Sequence, residues 1–186
     1  MVLFNMPDLR AALVPGVRLL GLDLGTRTIG LALSDVSLML ASPYATVKRS
    51  KLAALVVEIQ RISNVEHVGG LVAGLPLSLD GSFGPAAQAA RDWIRSLSEA
   101  TGLPAALWDE RFSSSAVNRI LIGDLDMTRR RRSEVVDKLA ASYILQAALD
   151  ASRPASPDLH AARLPATPPS RNHRRSHGAR SSYRPD

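Results

Sequence analysis

Four acidic residues stand where a purely structural role is awkward, and their chemistry is shared. Asp23 interrupts an apolar stretch, Leu19 to Asp35, that reads LLGLDLGTRTIGLALSD. Asp109 and Glu110 follow directly on the short apolar run Ala105 to Trp108. Asp137 lies one position past Val136 in a helical pattern, in the rows of Ala140, Ala141 and Ile144, at the border of the buried face. Burying a lone carboxylate is costly unless a cation or hydrogen bonds compensate. Carboxylates gathered from distant parts of a chain repel one another unless a divalent ion neutralises them. Hard oxygen donors in a chain with no cysteine point to Mg²⁺ or Mn²⁺. Two such ions about 4 Å apart activate a water and stabilise the leaving oxygen in phosphodiester hydrolysis.

Each acid also has a plainer reading. Asp23 can be a hydrogen-bonded residue beside a turn. Asp109 and Glu110 can complement the positive end of a following helix. Successive strand residues point to opposite faces, so at most one of that pair joins Asp23. Asp137 can be a surface residue next to Lys138. Asp35 and Asp80 read as turn formers. His67 precedes a strand, and His160, His173 and His177 lack metal-ligand spacing.

Basic and hydroxyl residues flank the acids. Thr26, Arg27 and Thr28 offer donors to a phosphate beside Asp23. Arg111 can hold a phosphate or pair with Asp109. Arg129, Arg130, Arg131 and Arg132 form a cluster just before Asp137, suited to a nucleic-acid backbone.

The elements that must position these residues follow from periodicity. A short helix is predicted over Pro7 to Leu13. Strands are predicted at about Arg18 to Leu24, Thr28 to Ser34 and Ala41 to Val47, joined as an antiparallel meander. Lys51 to Asn64 reads as a helix with Leu52, Leu55, Val56, Ile59 and Ile62 on one stripe. His67 to Leu75 reads as a central parallel strand. Pro76 to Gly84 is a loop. Pro85 to Ala100 is a helix burying Ala86, Ala89, Ala90, Trp93, Ile94 and Leu97. A third helix is expected after Ser113, then a polar, basic connection through Arg132. The last helix is predicted over Ser133 to Asp150, burying Val136, Leu139, Ala140, Tyr143, Ile144 and Ala147. A meander followed by helix–strand alternation gives an α/β fold: a mixed five-stranded sheet, a three-strand meander plus parallel strands, flanked by helices.

Composition bounds the setting. The 186 residues carry a net charge of +6, of which +5 lies in residues 151–186 and +1 in residues 1–150. The expected organisation is a short N-terminal extension (1–16), a folded domain (17–150) and a basic, Pro/Arg-rich tail (151–186) expected to be disordered. That tail reads either as a weak nucleic-acid arm or as an unselected extension. No apolar run is long enough for a membrane span, and residues 1–16 lack a signal-peptide pattern. The expected location is therefore cytoplasmic.

Four stretches together carry a family resemblance: GLDLGTRTIGLALSD (21–35), GLPLSLDGSFGP (74–85), DERFSS (109–114) and VVDKLAASYILQ (135–146). In this order they resemble the YqgF family, bacterial ribonuclease H-like proteins described as Holliday junction resolvases and as pre-16S rRNA nucleases. The resemblance implies a ribonuclease H-like fold, dependence on Mg²⁺ (or Mn²⁺), and a role in maturing the 5′ end of 16S rRNA precursor. It places the catalytic, metal-ligating acids on Asp23, on one acid of DER, with Glu110 favoured over Asp109, and on Asp137. DERFSS departs from the family's usual DER-Leu-Thr-Thr at Phe112, Ser113 and Ser114, a change that keeps a capping residue. The implied partner is nucleic acid, either pre-16S rRNA or branched DNA, with ribosomal particles as a further partner and no membrane. No interface is readable, which leaves monomer and homodimer open.

Two other readings compete. Sugar kinases and actin-like proteins also open with an Asp-x-Gly-Thr hairpin, but that architecture needs two such domains and this length supplies one. A non-catalytic ribosome-assembly factor would use the basic loop and tail and leave the acids structural.

Overall fold

The computed structural model describes residues 3–77, 82–109 and 129–153, with side chains in the last helix from residue 136 onward. The elements run α1 (Met6–Ala12), β1 (Arg18–Leu24), β2 (Thr28–Ser34), β3 (Ala41–Lys48), α2 (Leu52–Glu66), β4 (Val68–Leu75), α3 (Pro85–Thr101), β5 (Ala105–Asp109) and α4 (Arg129–Ala151). They form one five-stranded sheet of order β3-β2-β1-β4-β5. β1 pairs antiparallel with β2, and β2 with β3, while β4 pairs parallel with β1 and β5 with β4. This is the ribonuclease H-like arrangement that the sequence implied. Because β1, β4 and β5 are parallel, their carboxyl ends lie at one pole, where open α/β sheets collect ligands.

Alternation splits the strands between two cores. Leu20 and Leu22 of β1 and Ile29, Leu31 and Leu33 of β2 are buried with Leu55, Ile59 and Ile62 of α2 and Ile94 and Leu97 of α3. The opposite face buries Leu19, Ala32, Val72 and Ala106 with Met6 and Leu9 of α1 and Ala141, Leu145, Ala148 and Leu149 of α4. Asn5 caps α1, its side-chain oxygen accepting from Asp8 N–H at 2.8 Å. Phe4 forms a parallel bridge to Ala106. Residues 1–16, expected as a short extension, thus bring a packed helix to the second core. α2 ends on His67 and α3 on Gly102, both with positive φ, 55° and 77°.

Three expectations are corrected. In α3, Ala87 is buried while Ala86 and Ala89 are exposed. α4 begins at Arg129, so Arg129–Arg132 extend the helix and do not form a connection before it. The buried face of α4 is also rotated. Ala141, Ile144, Leu145, Ala148 and Leu149 are buried, whereas Leu139, Ala140, Tyr143 and Ala147 are only half-buried. A count of large apolar residues misplaces this face because the helix packs through alanines. The rotation moves Asp137 from the border of the buried face to its centre line, one turn before Ala141. The helix expected after Ser113 and the tail from residue 154 lie outside the described residues.

Candidate nuclease site

Asp23 is the penultimate residue of β1, opposite Gly30 of β2. The two positions share the α4 face, and Gly30 has no side chain to fill it. A Cβ at Gly30 would overlap the backbone of Asp137. One at Gly21 would lie 2.8 Å from Leu145 Cβ and 3.1 Å from the Ala141 carbonyl oxygen. The missing methyls form a trough in the sheet. α4 settles into it and brings Asp137 beside Asp23.

Two polar contacts set the position of α4 along the trough. Thr28 Oγ1 donates to Asp137 Oδ2 at 2.6 Å, across 109 residues of sequence. Further along the helix, the Gln146 side chain accepts from Ala41 N–H at 2.8 Å and donates to the Met39 carbonyl at 3.0 Å. One end of the helix is held at the start of β2, the other at the turn into β3.

The pair is electrostatically loaded. Asp23 is half-buried, and its pKa is pushed up to about 6. The main cause is loss of water around the carboxylate; the second is the Asp137 carboxylate. Both effects disfavour a second negative charge here, and a divalent cation would relieve both. Carboxylate oxygens are the hard donors that Mg²⁺ or Mn²⁺ prefers, so the residues fit the ion that the sequence implied. Among the described residues no group of three acids or histidines comes together. The described pair is two carboxylates, and Glu110 and Arg111 lie outside the described residues.

Asp109 closes β5 opposite Leu75. Ala105 and Leu107 pack in the α2/α3 core and Ala106 and Trp108 in the α4 core. Asp109 continues the first series, away from the face of Asp23.

Thr26 and Arg27 are exposed on the hairpin turn, free to meet solvent or substrate. Thr28, read from sequence as a phosphate donor, has its hydroxyl on Asp137 instead. Asp35 is a turn former as expected, accepting from Met39 N–H and Leu40 N–H at 2.7 and 2.9 Å. Asp80 lies outside the described residues. Of the Arg129–Arg132 cluster, the described backbone gives helix.

Sequence reasoning missed Gly21, Gly30, Thr28's bond and Arg49. The glycines carried a signal, since an unfilled position on the same strand face as an awkward acid marks a close approach. Arg49 donates to the Gly25 carbonyl at 2.7 Å and stacks 5.9 Å from the Trp93 ring centre, fastening the hairpin turn below Asp23.

Comparison with known proteins adds lineage to this geometry. A family model described as RuvX, Holliday junction resolvase, matches residues 17–151. A protein of Gluconacetobacter diazotrophicus named "Putative pre-16S rRNA nuclease" is 70% identical over 152 residues, 82% of this chain and 99% of its own. One of the same name from Gluconobacter oxydans is 64% identical over 159 residues, covering 86% and 99%. Among solved structures, RuvC of T. thermophilus in complex with a Holliday junction substrate matches at 17% identity and a TM-score of 0.47, covering 73% of this chain and 94% of that one.

Proposed function

The chain belongs to the RuvX family, and from that premise we propose that it cleaves a structured nucleic acid at a divalent-metal site built on Asp23, Glu110 and Asp137. It is a nuclease, a hydrolase of phosphodiester bonds. The reading favoured for its substrate is pre-16S rRNA, as the names of its high-identity relatives suggest, with the 5′ end as the position the motif resemblance implies. A four-way DNA junction is the second reading, favoured by the family description.

The observation that carries the site assignment is the pairing of Asp23 with Asp137 in the glycine trough. The fold holds the desolvated Asp23 carboxylate against the charge of Asp137, on a helix seated directly over Gly30. Strand alternation supports Glu110 as the third ligand over Asp109, which continues the opposite face. Bound Mg²⁺, or Mn²⁺ in its place, would supply an activated water and charge stabilisation for the departing oxygen. The chain's own residues do the rest. Thr28 fixes the rotation of the Asp137 carboxylate. Asp23, protonated more readily than an ordinary carboxylate, would have to lose that proton to hold a cation, which would couple binding to pH. Thr26 and Arg27 lie on the exposed turn where a substrate phosphate would pass. Arg111 and Arg129–Arg132 add positive charge at positions flanking two of the acids.

The test is cleavage by the full chain of a pre-16S leader RNA and of a four-way DNA junction, with Mg²⁺. Asp23→Asn should lower the rate by about a thousandfold or more. Equal cleavage by both proteins would sink the metal-site assignment. Cutting of the junction but not the RNA transfers the function to the second reading. Binding of both without cleavage favours a non-catalytic ribosome-assembly factor.

A further inference from the structure

We propose that Lys48 and Lys51, with Arg27 beside them, form a track that carries a nucleic-acid backbone across the end of β3 towards Asp23. The placement follows from register. Lys48 is the direct partner of Thr28, the residue that holds Asp137. Neighbouring strands lie about 4.8 Å apart, so the Lys48 backbone is about 10 Å from that of β1, within the reach of one lysine side chain and a phosphate. Lys51 lies three residues on, one residue before α2.

Arg49 makes this placement rigid. Its backbone N–H donates to the Arg27 carbonyl at 2.9 Å, and its guanidinium reaches Gly25 and stacks on Trp93. The end of β3 is thereby tied to the turn that follows Asp23. Arg49 is the fastener, and the two lysines on either side of it are left facing solvent.

These charges stand outside the ion pairs of the described residues. Arg18, Arg61, Arg95 and Arg153 each have a carboxylate partner. Arg27, Lys48 and Lys51 are exposed and have none among the described residues. The sequence supplies no acid between Asp35 and Glu58. Only three of the 23 basic residues are lysines, and the third, Lys138, is the neighbour of Asp137. Unpaired like charges repel one another and contribute nothing to folding. A strand of regularly spaced phosphates offsets that repulsion and releases counterions as it binds.

The direction of the track rests on the nuclease reading; its existence is measured without cleavage. Full-length protein is titrated in EDTA against fluorescent single-stranded RNA and against a four-way DNA junction over a range of salt. The double variant Lys48→Gln/Lys51→Gln is compared with wild type and with Arg61→Gln, whose guanidinium is already paired. The double variant should bind roughly tenfold more weakly at low salt. Its log K against log salt should be flatter by about 0.7 per lost contact on a single strand and about 0.9 on duplex arms. Arg61→Gln should keep the wild-type slope. A change on RNA alone or on the junction alone supports the track and names its strand. An unchanged slope and affinity on both overturns it. If wild type cleaves nothing yet the double variant binds more weakly, the track stands and the nuclease reading falls.

Discussion

Against one face of the sheet, α2 and α3 press Leu55, Ile59, Ile62, Ile94 and Leu97 onto Leu20, Leu22, Ile29 and Leu31. Against the other, α4 lays Ala141, Leu145 and Ala148 over Gly21 and Ala32, with Asp137 above Gly30. The first face buries large side chains, each worth about 1.5–3 kcal/mol when fully removed from water. The second gives up much of that volume for proximity. Its small residues let a helix axis approach the sheet closely enough to set one carboxylate beside another. One face holds the fold together, and the other uses part of that stability to hold a charged pair.

Paired substitutions on adjacent residues of β2 sharpen this contrast most. Leu31→Ala should cost about 2–5 kcal/mol of stability, through lost burial and a residual cavity, and leave Mn²⁺ affinity near wild type. Gly30→Ala should cost less, about 1–3 kcal/mol from overpacking, yet abolish tight Mn²⁺ binding by pushing Asp137 away. Thermal melts and calorimetric titration measure both quantities. If Gly30→Ala binds the ion normally, the trough has no functional role and the contrast collapses.

A smaller effect is expected at Thr28. Thr28→Val keeps the shape and removes the donor to Asp137, which should weaken Mn²⁺ binding by about 10–100-fold. Thr28→Ser should restore most of it. A valine variant that binds like wild type would show that the helix alone orients the carboxylate.

The smallest effect concerns pH. The folded pKa of Asp23, about 6, lies above the ordinary 3.8. The folded state therefore holds this proton more tightly than the unfolded state. The associated stability is fully present below about pH 4 and is lost as pH rises through 6. Without metal, Asp23→Asn should be more stable than wild type at pH 8, by about 1–2 kcal/mol after solvent screening. At pH 4 the two should melt together. A variant no more stable at pH 8 would mean that the carboxylate is not strained in its trough.

The contrast between faces also explains what could be read from sequence. β1 and β2 are legible to the residue, because runs of large apolar side chains on either side of a short turn mark buried strands. The α2 stripe is legible for the same reason, at Leu55, Ile59 and Ile62. The α4 face is misread by about one position, since its contacts are made by Ala141 and Ala148, which weigh little in any hydrophobic count. Asp23 and Asp137 are recognisable as awkward acids, but their meeting depends on glycines about a hundred residues or more before the helix they admit. Thr28's bond to Asp137 is invisible for the same reason: nothing local announces a partner 109 residues away. Strand parity puts Asp109 in the series of Leu107, away from Trp108, whereas Glu110 lies outside the described residues.

The long sequence gap between Thr28 and Asp137 has a further consequence during synthesis. The ribosome releases the β1–β2 hairpin, and with it Asp23, well before α4 exists. Until that last helix emerges and docks, a nascent or truncated chain carries only part of the acidic pair. Asp23 therefore meets its partner carboxylate only once α4 has docked.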